Sequence, residues 1–564
     1  MSTKPTSEQA GPGTAAAETP DRYGAYPRLS QAQLAALAEL GERRAVSPGE
    51  VLFAEGDRDC DFFAVLAGLV QLVEGRATPE ERVISTHGPG RFIGELGLLT
   101  GQPAFYSAVA AHAGEVVAVP AARLRRLVAD DAALGDLILR AYLIRRSVLI
   151  SLGVGVRIIG SRYSRDARRL RDFTARNRIP AQWLDVEADP GAEQLLRQLN
   201  VPPEETPLVI LYGRLLLRNP GNAELAAAVG LLAPETCDAS SDVLVVGSGP
   251  AGLSAAVYSA SEGLQTVVAE GLATGGQAGT SSRIENYLGF PSGISGGELA
   301  ERAVMQARKF GARFAVPAEA TAISRRDGHF AVQLAGGSAM TARSVILATG
   351  ARYRRLDLPR LEHFERSSVY YAASQAEALM CRDDPVVIVG GGNSAGQAAV
   401  FLSRYAAQIT MVLRERQLGE WMSRYLVDQV RQLPNIQVRC HCEVRELLGD
   451  KKLEGVVVTD TETGGCYELP ARALFTLVGM APCTGWLGGL AGLDEHGFVL
   501  TGPAADQAGA AASQPSWRPS ALETNQPGLF AVGDVRSGSV KRVAAAVGEG
   551  GMVIRLAFER MRPG

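Results

Sequence analysis

The stretch DVLVVGSGPAGLSAAVYSASEGLQTVVAE, residues 242–270, decides the fold of the second half of the chain. A strand-like apolar run leads into a G-x-G-x-x-G turn, then a helical run, then a second strand-like run that ends at Glu270. In such a unit the first glycine makes the turn, the second lets the backbone approach a pyrophosphate, and the third lets helix and strand pack closely. The acid is placed to accept a hydrogen bond from a ribose 2′-hydroxyl. The predicted dinucleotide contacts are Gly247, Gly249, Pro250, Ala251, Gly252 and Glu270.

A second stretch of the same kind, DDPVVIVGGGNSAGQAAVFLS, covers residues 383–403. It has the G-x-G-x-x-A version of the turn between a strand-like run and a helical run. Two such units in one chain, in this order, predict FAD at the first and a nicotinamide nucleotide at the second. The predicted contacts of the second turn are Gly390, Gly392, Asn393, Ser394 and Ala395.

Four further motifs carry a family resemblance: GGQ at 275–277, IENYLGFP at 284–291, LATG at 347–350 and GLFAVGD at 528–534. Together with the two turns, they make the second half of the chain resemble the low-molecular-weight bacterial thioredoxin reductases. The resemblance implies a doubly wound FAD domain, residues 241–362 and 486–562, split by an inserted NAD(P)H domain, residues 363–485. It also implies a homodimer. The further FAD contacts that it implies are Gly276, Gln277, Asn286, Thr349, Gly350, Asp534, Arg542 and Val543.

The stretch SSVYYAASQAEALM, residues 367–380, departs from that family. When it is aligned on Val369, the family's two redox cysteines fall on Ala372 and Gln375. The acid that follows the second cysteine in the family falls on Ala376. None of the seven cysteines in the chain forms a C-x-x-C pair, and a disulfide relay needs two neighbouring thiols. We therefore expect the flavin to pass electrons to an acceptor other than an internal disulfide.

Two tyrosines, Tyr370 and Tyr371, replace the disulfide near the flavin face. They are the predicted catalytic residues, which would stack with substrate or shield the ring; packing of an interdomain hinge is the other interpretation. Cys381, just beyond, leaves open a thioredoxin-disulfide reductase that uses other cysteines. A flavin- or nucleotide-responsive redox sensor is a third hypothesis. The run Cys440-His441-Cys442 reads as part of a strand, and without a second ligand pair we predict no metal site.

The coenzyme prediction depends on the run VLRERQ, residues 412–417. The reductase family reads the 2′-phosphate of NADPH with a basic cluster at this point. Arg414 matches one arginine of that cluster, whereas Glu415 replaces the other and repels a phosphate. Arg416 compensates in part. The sequence therefore favours NADPH only slightly over NADH.

Residues 28–154 are predicted to form a β-roll with C-terminal helices, after a disordered tail, residues 1–27. The stretch GRFIGELGLLTGQP, residues 90–103, resembles the phosphate-binding turn of cyclic-nucleotide-binding domains. The resemblance assigns a vestigial nucleotide site to Gly94, Glu95 and Leu96. That family needs an arginine shortly after the turn, and none occurs between Arg91 and Arg123. The roll is therefore expected to serve docking or dimerisation rather than cyclic-nucleotide binding.

Residues 155–235 alternate strand-like and helical runs in an order that resembles thioredoxin or glutaredoxin. The resemblance makes Pro207 the candidate for a cis peptide bond. The redox C-x-x-C of that family would follow the first strand, where this chain has SRYS, residues 161–164. A structural or protein-binding role is therefore expected for this module, which we call the middle module.

Composition limits the remaining function classes. The chain has 564 residues, with 57 Lys and Arg against 60 Asp and Glu, so nucleic acid is not an expected partner. The N-terminal segment has no apolar core of a signal peptide, and no run approaches the roughly 18 apolar residues of a membrane span. We therefore expect a cytoplasmic, multidomain α/β flavoprotein that oxidises NAD(P)H. Its acceptor would be O₂, a quinone, an iron–sulfur or other acceptor protein, or a biosynthetic substrate.

Overall fold

The computed structural model describes residues 17–58, 60–94, 96–231, 240–281, 283–284, 286–365, 367–371, 373, 375–450, 452–507 and 518–561. Contacts divide the chain into two compact units. Unit 1 comprises Met1–Thr349, Gly485–Gly492 and Val499–Gly564, and unit 2 comprises Gly350–Thr484 and Leu493–Phe498. The domain boundaries predicted from the sequence stay predictions. Among the described helices, none is long and apolar enough to cross a bilayer.

Unit 1 begins with an antiparallel roll. Its strands are β1 Glu42–Val46, β2 Val51–Phe53, β3 Phe62–Glu74, β4 Arg82–His87, β5 Phe92–Ile93 and β6 Ser107–Val119. Its helices are α1 Gln31–Leu40, α2 Leu96–Thr100, α3 Ala121–Asp130 and α4 Ala132–Leu152. The strands pair in the order β1-β6-β3-β4, with β2 added to β6 and β5 added to β3. The long central strands β3 and β6 have largely buried side chains, which is why the roll closes around them.

The first helix of the roll has the cap that its sequence predicts. Ser30 Oγ accepts from the backbone N–H of Gln33, and the Gln33 side chain accepts from the backbone N–H of Ser30. This reciprocal pair satisfies two donors that the helix itself leaves free. Gly41 ends the helix, and its N–H donates to the Leu37 carbonyl. Ser30 and Gln33 therefore form a capping box.

The described part of the predicted tail, residues 17–27, packs on the roll. The Thr19 N–H donates to the Thr86 carbonyl at 3.0 Å, and Ala25 and Tyr26 are only 1% and 8% exposed. A cation from a distant helix holds this segment in place: the Nε of buried Arg145, on α4, donates to the Ala25 carbonyl at 2.7 Å. Composition alone did not show this partner, and the expectation of disorder does not hold for residues 17–27.

The middle module has the predicted element order. Its elements are β7 Val156–Gly160, α5 Arg165–Arg176, β8 Ala181–Asp185, α6 Pro190–Gln198, β9 Leu208–Leu211, β10 Leu215–Arg218 and α7 Asn222–Ala228. The sheet order is β10-β9-β7-β8, with β8 parallel and β9 antiparallel to β7. The Thr206–Pro207 bond is cis, as predicted. Ser164 caps α5 by accepting from the Ala167 N–H. The resemblance of the middle module to thioredoxin stays a prediction.

From residue 240 onward, strands and helices alternate. The strands are β11 Ser240–Val246, β12 Thr266–Ala269, β13 Arg313–Ala315, β14 Ala320–Arg326, β15 His329–Leu334, β16 Ala339–Leu347, β17 Ala351–Tyr353, β18 Val369–Tyr370, β19 Pro385–Val389, β20 Gln408–Val412, β21 Ile436–Arg439, β22 Cys442–Leu448, β23 Gly455–Asp460, β24 Cys466–Pro470, β25 Ala473–Thr476, β26 Met480–Pro482 and β27 Leu529–Ala531. The helices are α8 Pro250–Ser261, α9 Gly296–Lys309, α10 Leu361–Phe364, α11 Gln375–Met380, α12 Asn393–Leu402, α13 Arg424–Gln432, α14 Pro503–Gln507 and α15 Val543–Met561.

The second half of unit 1 is built on a mixed sheet in the order β13-β12-β11-β16-β15-β14, with β27 paired to β16. The strands β13, β12, β11, β16 and β27 run parallel. Helices α8, α9 and α15 cover one face with small residues, and α15 crosses α8 so closely that a side chain at Gly550 would meet the Ala251 carbonyl at 2.2 Å. The carboxyl ends of these parallel strands meet at one edge, where ligands bind in such sheets.

Unit 2 has a five-stranded parallel sheet in the order β18-β25-β19-β20-β21 and a three-stranded antiparallel sheet, β22-β23-β24. Its strands are short, apolar and fully buried in the middle, as parallel sheets covered on both faces require. The predicted fold class, a multidomain α/β chain with an N-terminal roll and two dinucleotide-binding sheets, is confirmed.

One local prediction is wrong. Cys440 to Cys442 was expected to lie within a strand, but β21 ends at Arg439 and β22 begins at Cys442. His441 between them has φ +55°, the left-handed conformation of a tight turn. The two thiols are therefore not alternate residues of one strand.

Candidate functional site: two dinucleotide turns

The first turn, between β11 and α8, is closed by backbone contacts that exclude side chains. Gly247 has φ +101°, and a Cβ there would lie 2.4 Å from the Ala348 carbonyl oxygen. A Cβ on Gly252 would lie 1.9 Å from the Gly247 carbonyl oxygen. By contrast, a Cβ on Gly249 would meet nothing closer than the Gly276 Cα at 4.0 Å. The outer glycines are thus required by packing, whereas the middle one keeps an open backbone face.

The GGQ loop lies against this turn. The Gly275 N–H donates to the Ser248 carbonyl at 2.8 Å. Gly276 has φ +55°, and a Cβ there would lie 3.0 Å from the Gly249 Cα. Two glycines from separate segments therefore face each other with no side chain between them. The N-terminus of α8, which begins at Pro250, adds unpaired N–H groups that favour an anion.

Glu270 follows β12 directly and is held in place by the turn. Its Oε2 accepts from the N–H and the hydroxyl of Ser248 at 2.9 and 2.8 Å, and its Oε1 accepts from the Leu272 N–H at 3.0 Å. A carboxylate has about four acceptor positions, so at least one stays available for a ribose hydroxyl. The position at the strand end is the one that the sequence predicts.

Asp534 lies at the same sheet edge, after β27. Burial raises the pKa of its carboxyl group, while nearby Lys541 lowers it. The turn is braced from α15, because Glu549 Oε2 accepts from the Gly533 N–H at 2.7 Å and from Arg536 Nε at 3.2 Å. The sequence reasoning did not single out Glu549, and nothing local in its helix distinguishes it from a surface acid.

The remaining predicted contacts of unit 1 lie around this edge. Gln277, Asn286 and Arg542 are exposed, Val543 begins α15, and Thr349 follows β16 and ends this part of the unit. Gly350, at φ +68°, is the first residue of unit 2. The facing glycines, the strand-end acid and the half-buried aspartate fit the pyrophosphate, ribose and flavin ends of FAD. The individual assignments stay predictions.

In the second turn, in unit 2, the first glycine again excludes a side chain, whereas the second leaves an open backbone face. Gly390 has φ +140°, and a Cβ there would lie 2.5 Å from the Leu477 carbonyl oxygen. A Cβ on Gly392 would meet nothing within 4 Å. Ala395 is fully buried. Asn393 begins α12, but its side-chain oxygen accepts from the Ser423 N–H at 2.7 Å, which ties it to a neighbouring loop.

An acid stands beside this turn. A Cβ on Gly391 would lie 2.7 Å from Glu415 Oε2 and 2.9 Å from its carboxyl carbon. Glu415 is half-buried, whereas Arg414 and Arg416 on either side are exposed. Glu420 adds a second carboxylate to the same loop by accepting from the Arg416 N–H at 3.0 Å. In the loop predicted to contact the adenosine ribose, the side chain that lies against the glycine turn is therefore the carboxylate of Glu415 and not an arginine guanidinium.

The two tyrosines have different surroundings. Tyr370 donates from its hydroxyl to the Ser367 carbonyl at 3.0 Å, and its ring lies tilted on Phe475 with 5.2 Å between centroids. Tyr371 donates to the Glu365 carboxylate and stacks on Tyr353 with 5.8 Å between ring centroids. Tyr370 thus packs in the unit 2 core.

A charged pair holds the second tyrosine. Arg355 Nε lies 2.7 Å from Glu365 Oε1, and Glu365 accepts from the Tyr371 hydroxyl. Burial, and then the hydrogen bond to Glu365, raise the pKa of Tyr371 to about 12. Of the neighbouring positions, Ala372 lies outside the described residues, and Gln375 begins α11.

The predicted nucleotide turn of the roll is packed by α4. Gly94 is buried at φ +134°, and a Cβ there would lie 2.4 Å from the Tyr142 hydroxyl oxygen. Arg145 Nη1 donates to the Gly94 carbonyl at 2.8 Å. Leu96 begins α2, and Glu95 lies outside the described residues. An arginine is therefore present at this turn, but it comes from a distant helix, and the sequence search missed it.

Comparisons with known proteins agree with this arrangement. The sequence profile of the pyridine nucleotide-disulphide oxidoreductases matches residues 241–550, and that of the cyclic nucleotide-binding domain matches residues 43–131. The chain is 35% identical over 316 residues to a thioredoxin reductase of Treponema pallidum, which covers 56% of this chain and 95% of the relative. It is 34% identical over 310 residues to a thioredoxin reductase of Streptomyces clavuligerus, covering 55% and 90%. The crystal structure of thioredoxin reductase from Streptococcus pyogenes is 30% identical over 57% of this chain and 99% of that one, with a TM-score of 0.45.

Proposed function

Because the chain belongs to the pyridine nucleotide-disulphide oxidoreductase family, we propose that it oxidises a reduced nicotinamide nucleotide and passes the electrons to an external acceptor rather than to a cysteine pair of its own. It is an FAD-dependent oxidoreductase of the thioredoxin reductase type, fused to a cyclic-nucleotide-binding-like roll. The observation that supports the proposal is the combination of two intact nucleotide turns with seven cysteines that contain no C-x-x-C pair.

The residues around the first turn would bind and orient FAD. When bound, FAD supplies the two-electron chemistry between the nicotinamide and the acceptor. Gly249 and Gly276 offer backbone to the pyrophosphate, and Glu270 offers an acceptor to the adenosine ribose. Asp534, on a turn that Glu549 keeps fixed, would lie at the flavin end of the bound cofactor.

Two buried cysteines of the described residues, Cys381 and Cys442, are poorly suited to a replacement relay. Cys381 is buried, and burial raises the pKa of its thiol to about 11. A thiol must lose its proton to attack a disulfide, so a raised pKa makes Cys381 a poor nucleophile near neutral pH. Cys442 is also buried, with its sulfur 3.1 Å from the Tyr467 hydroxyl. Thioredoxin-disulfide reduction through Cys381 or Cys442 is therefore disfavoured.

We assign contact with the electron acceptor to Tyr371 rather than to Tyr370. A tyrosine with a pKa of about 12 keeps its proton at every physiological pH, so its contribution is an oriented aromatic face and not acid–base chemistry. Tyr371 is fixed by Glu365 and Tyr353, whereas Tyr370 is occupied with core packing. A soluble acceptor that stacks on this face fits the arrangement, and the homodimer implied by the family remains part of the proposal.

The sequence slightly favours NADPH, but the position of Glu415 against the second turn leads us to propose NADH in preference to NADPH. A 2′-phosphate carries close to two negative charges near neutral pH. The carboxylate of Glu415, which lies against the second turn, would repel that group and would accept a hydrogen bond from a free 2′-hydroxyl. The guanidinium groups of Arg414 and Arg416 are exposed and screened by solvent, so they offset little of the repulsion between Glu415 and the 2′-phosphate.

The experiment is anaerobic mixing of the FAD-loaded protein with NADH or NADPH in a stopped-flow spectrophotometer. We expect fast loss of the flavin absorbance with NADH and slower loss with NADPH. Re-oxidation should follow with quinones or O₂, and thioredoxin with a disulfide dye should give no turnover. Absence of bleaching with both coenzymes would exclude the oxidoreductase proposal and favour the redox sensor.

A further inference from the structure

Unit 1 contains a cavity of about 900 Å³ that borders the flavin loops at Pro250 and Gly275 but is lined mostly by residues outside the predicted flavin contacts. Helices α3 and α4 of the roll line one side, and helices α8 and α9 line the other. The volume lies within the range of roughly 300–1,000 Å³ typical of small-molecule sites. The cavity also borders α2, the short helix that follows the nucleotide-like turn of the roll.

The lining combines an apolar floor with an excess of cations. Leucine, valine, alanine and aromatic side chains from both sides form the floor. The cationic lining residues are Arg125, Arg126, Arg302, Arg308 and Lys309. Asp136 is the one acidic residue among the described lining residues. An apolar cavity with this charge excess suits a ligand that has a long apolar part and an anionic head.

Arg308 is the best-defined of these cations. Its Nη1 donates to the Thr100 carbonyl at 2.6 Å, and its guanidinium carbon lies 5.5 Å from the Phe314 ring centroid. Burial, and then the neighbouring charge of Arg125, lower the pKa of Arg308 to about 10. The charged neighbour that perturbs this half-buried cation is thus another cation, and an anionic ligand would offset the repulsion between the two.

Other arginines at the same helix have acidic partners. Arg302 lies 2.8 Å from Glu298, one turn earlier in α9. Arg178 of the middle module lies 2.7 Å from Glu301 on the same helix. Among the described residues, Arg308 has no carboxylate in an equivalent position. Its charge is therefore available to a ligand in the cavity.

Helix α9 also connects the cavity to the flavin loop. A Cβ on Gly296, at its first turn, would lie 1.7 Å from the Ala278 carbonyl oxygen. A Cβ on Gly275 would lie 2.7 Å from the Ala300 Cβ. The start of α9 thus packs on the GGQ loop, and its last turn holds α2 through Arg308. A ligand on this helix would contact the element that supports the flavin loop.

We propose that this cavity binds a single-chain anionic amphiphile, with its carboxylate or phosphate at Arg308 and Arg125 and its alkyl chain along the apolar floor. The proposal goes beyond the redox function and does not depend on it, because binding is measured without any electron transfer. Fatty acids and alkyl phosphates share the required chemistry.

The test is isothermal titration calorimetry of the FAD-loaded full chain with dodecanoate, dodecyl phosphate and dodecyltrimethylammonium, each below its micelle concentration. We expect saturable binding of one or both anions per chain and none of the cation. The stronger of the two anions identifies the head group. Equal binding of cation and anions, or no binding of either anion, would refute the proposal.

Three variants locate the site. Arg308→Gln should weaken anion binding about tenfold, because it removes a charge-assisted hydrogen bond. Ala303→Phe should abolish binding by filling the cavity from α9. Arg555→Gln is the matched control, since Arg555 is an exposed arginine of α15 outside the cavity. The flavin spectrum and thermal midpoint report folding, and Arg125→Gln, at the second cation of the proposed head-group site, replaces Arg308→Gln if the latter does not fold.

Two results would overturn the assignment. Equal dodecanoate affinity in Arg308→Gln and Arg555→Gln would show that the head group is not at Arg308. Unchanged dodecanoate binding in Ala303→Phe would show that the alkyl chain does not lie in the cavity, and a simultaneous change from dimer to monomer in light scattering would identify the face as an interface between two copies of the chain.

Discussion

Replacing Glu415 with glutamine removes one negative charge beside the second dinucleotide turn and keeps the size of the side chain. The carboxylate lies 2.7 Å from the position of a Cβ on Gly391, so it lies at the ribose side of the turn. For NADH, the variant exchanges a charge-assisted hydrogen bond for a neutral one, a loss of about 1.5 kcal/mol. For NADPH, it removes a repulsion of about 1 kcal/mol, the value for charges about 4 Å apart in a largely aqueous environment.

The two effects have opposite signs for the two coenzymes and therefore add in their ratio. About 2.5 kcal/mol corresponds to a change of about 70-fold in the ratio of kcat/KM for NADH to that for NADPH. The assay is initial-rate oxidation of each coenzyme with a quinone acceptor at constant ionic strength. Glu446→Gln, an exposed acid on β22, is the control and should leave the ratio unchanged. A ratio in Glu415→Gln within twofold of the unmodified protein would refute the assignment of Glu415 as the selecting residue.

Three further predictions concern the flavin turn, the acceptor side and the cysteines. Gly249→Ala should weaken FAD binding at least about tenfold, because the added methyl group occupies the open backbone face of the turn. The control is Gly336→Ala, whose added methyl group meets no atom within 4 Å and should leave FAD binding unchanged. The fluorescence of released flavin measures FAD binding in both variants. Tyr371 has a folded-state pKa of about 12 against an ordinary value of 10.0, so the unfolded chain loses this proton first and stability falls as pH rises from 10 toward 12. Thermal unfolding should show a smaller loss over that window in Tyr371→Phe, and an equal loss would contradict the argument. Cys381→Ser should retain NADH-dependent turnover, and complete loss of turnover in a folded, yellow variant would show that the thiol takes part.

Local steric rules explain why much of the flavin-binding half was predictable. The turn glycines exclude side chains through contacts within their own strand–turn–helix unit, as Gly252 does against the Gly247 carbonyl. The capping box of α1 likewise involves residues three apart in the chain. The cis bond before Pro207 follows a family pattern of a single turn. In each case the deciding contact is encoded within a short window.

The features that were missed depend on contacts between distant segments. Arg145 orders part of the expected tail by donating to the Ala25 carbonyl, 120 residues away in the chain. Glu549 braces the Gly533 turn from a helix whose sequence gives no sign of it. The charge of Arg308 becomes distinctive only where helices of the roll and of the flavin-binding half enclose the cavity. No periodicity or motif predicts such contacts, because they are fixed by packing of complete elements.

The most direct test of the central claim is an anaerobic reductive titration of the FAD-loaded protein with dithionite, followed by the flavin absorbance. A flavoprotein without an internal dithiol should take up about two electrons per FAD before the absorbance is fully lost. A cysteine pair in redox contact with the flavin would add about two more. An end point near two electrons is the predicted result, and an end point near four would contradict the account.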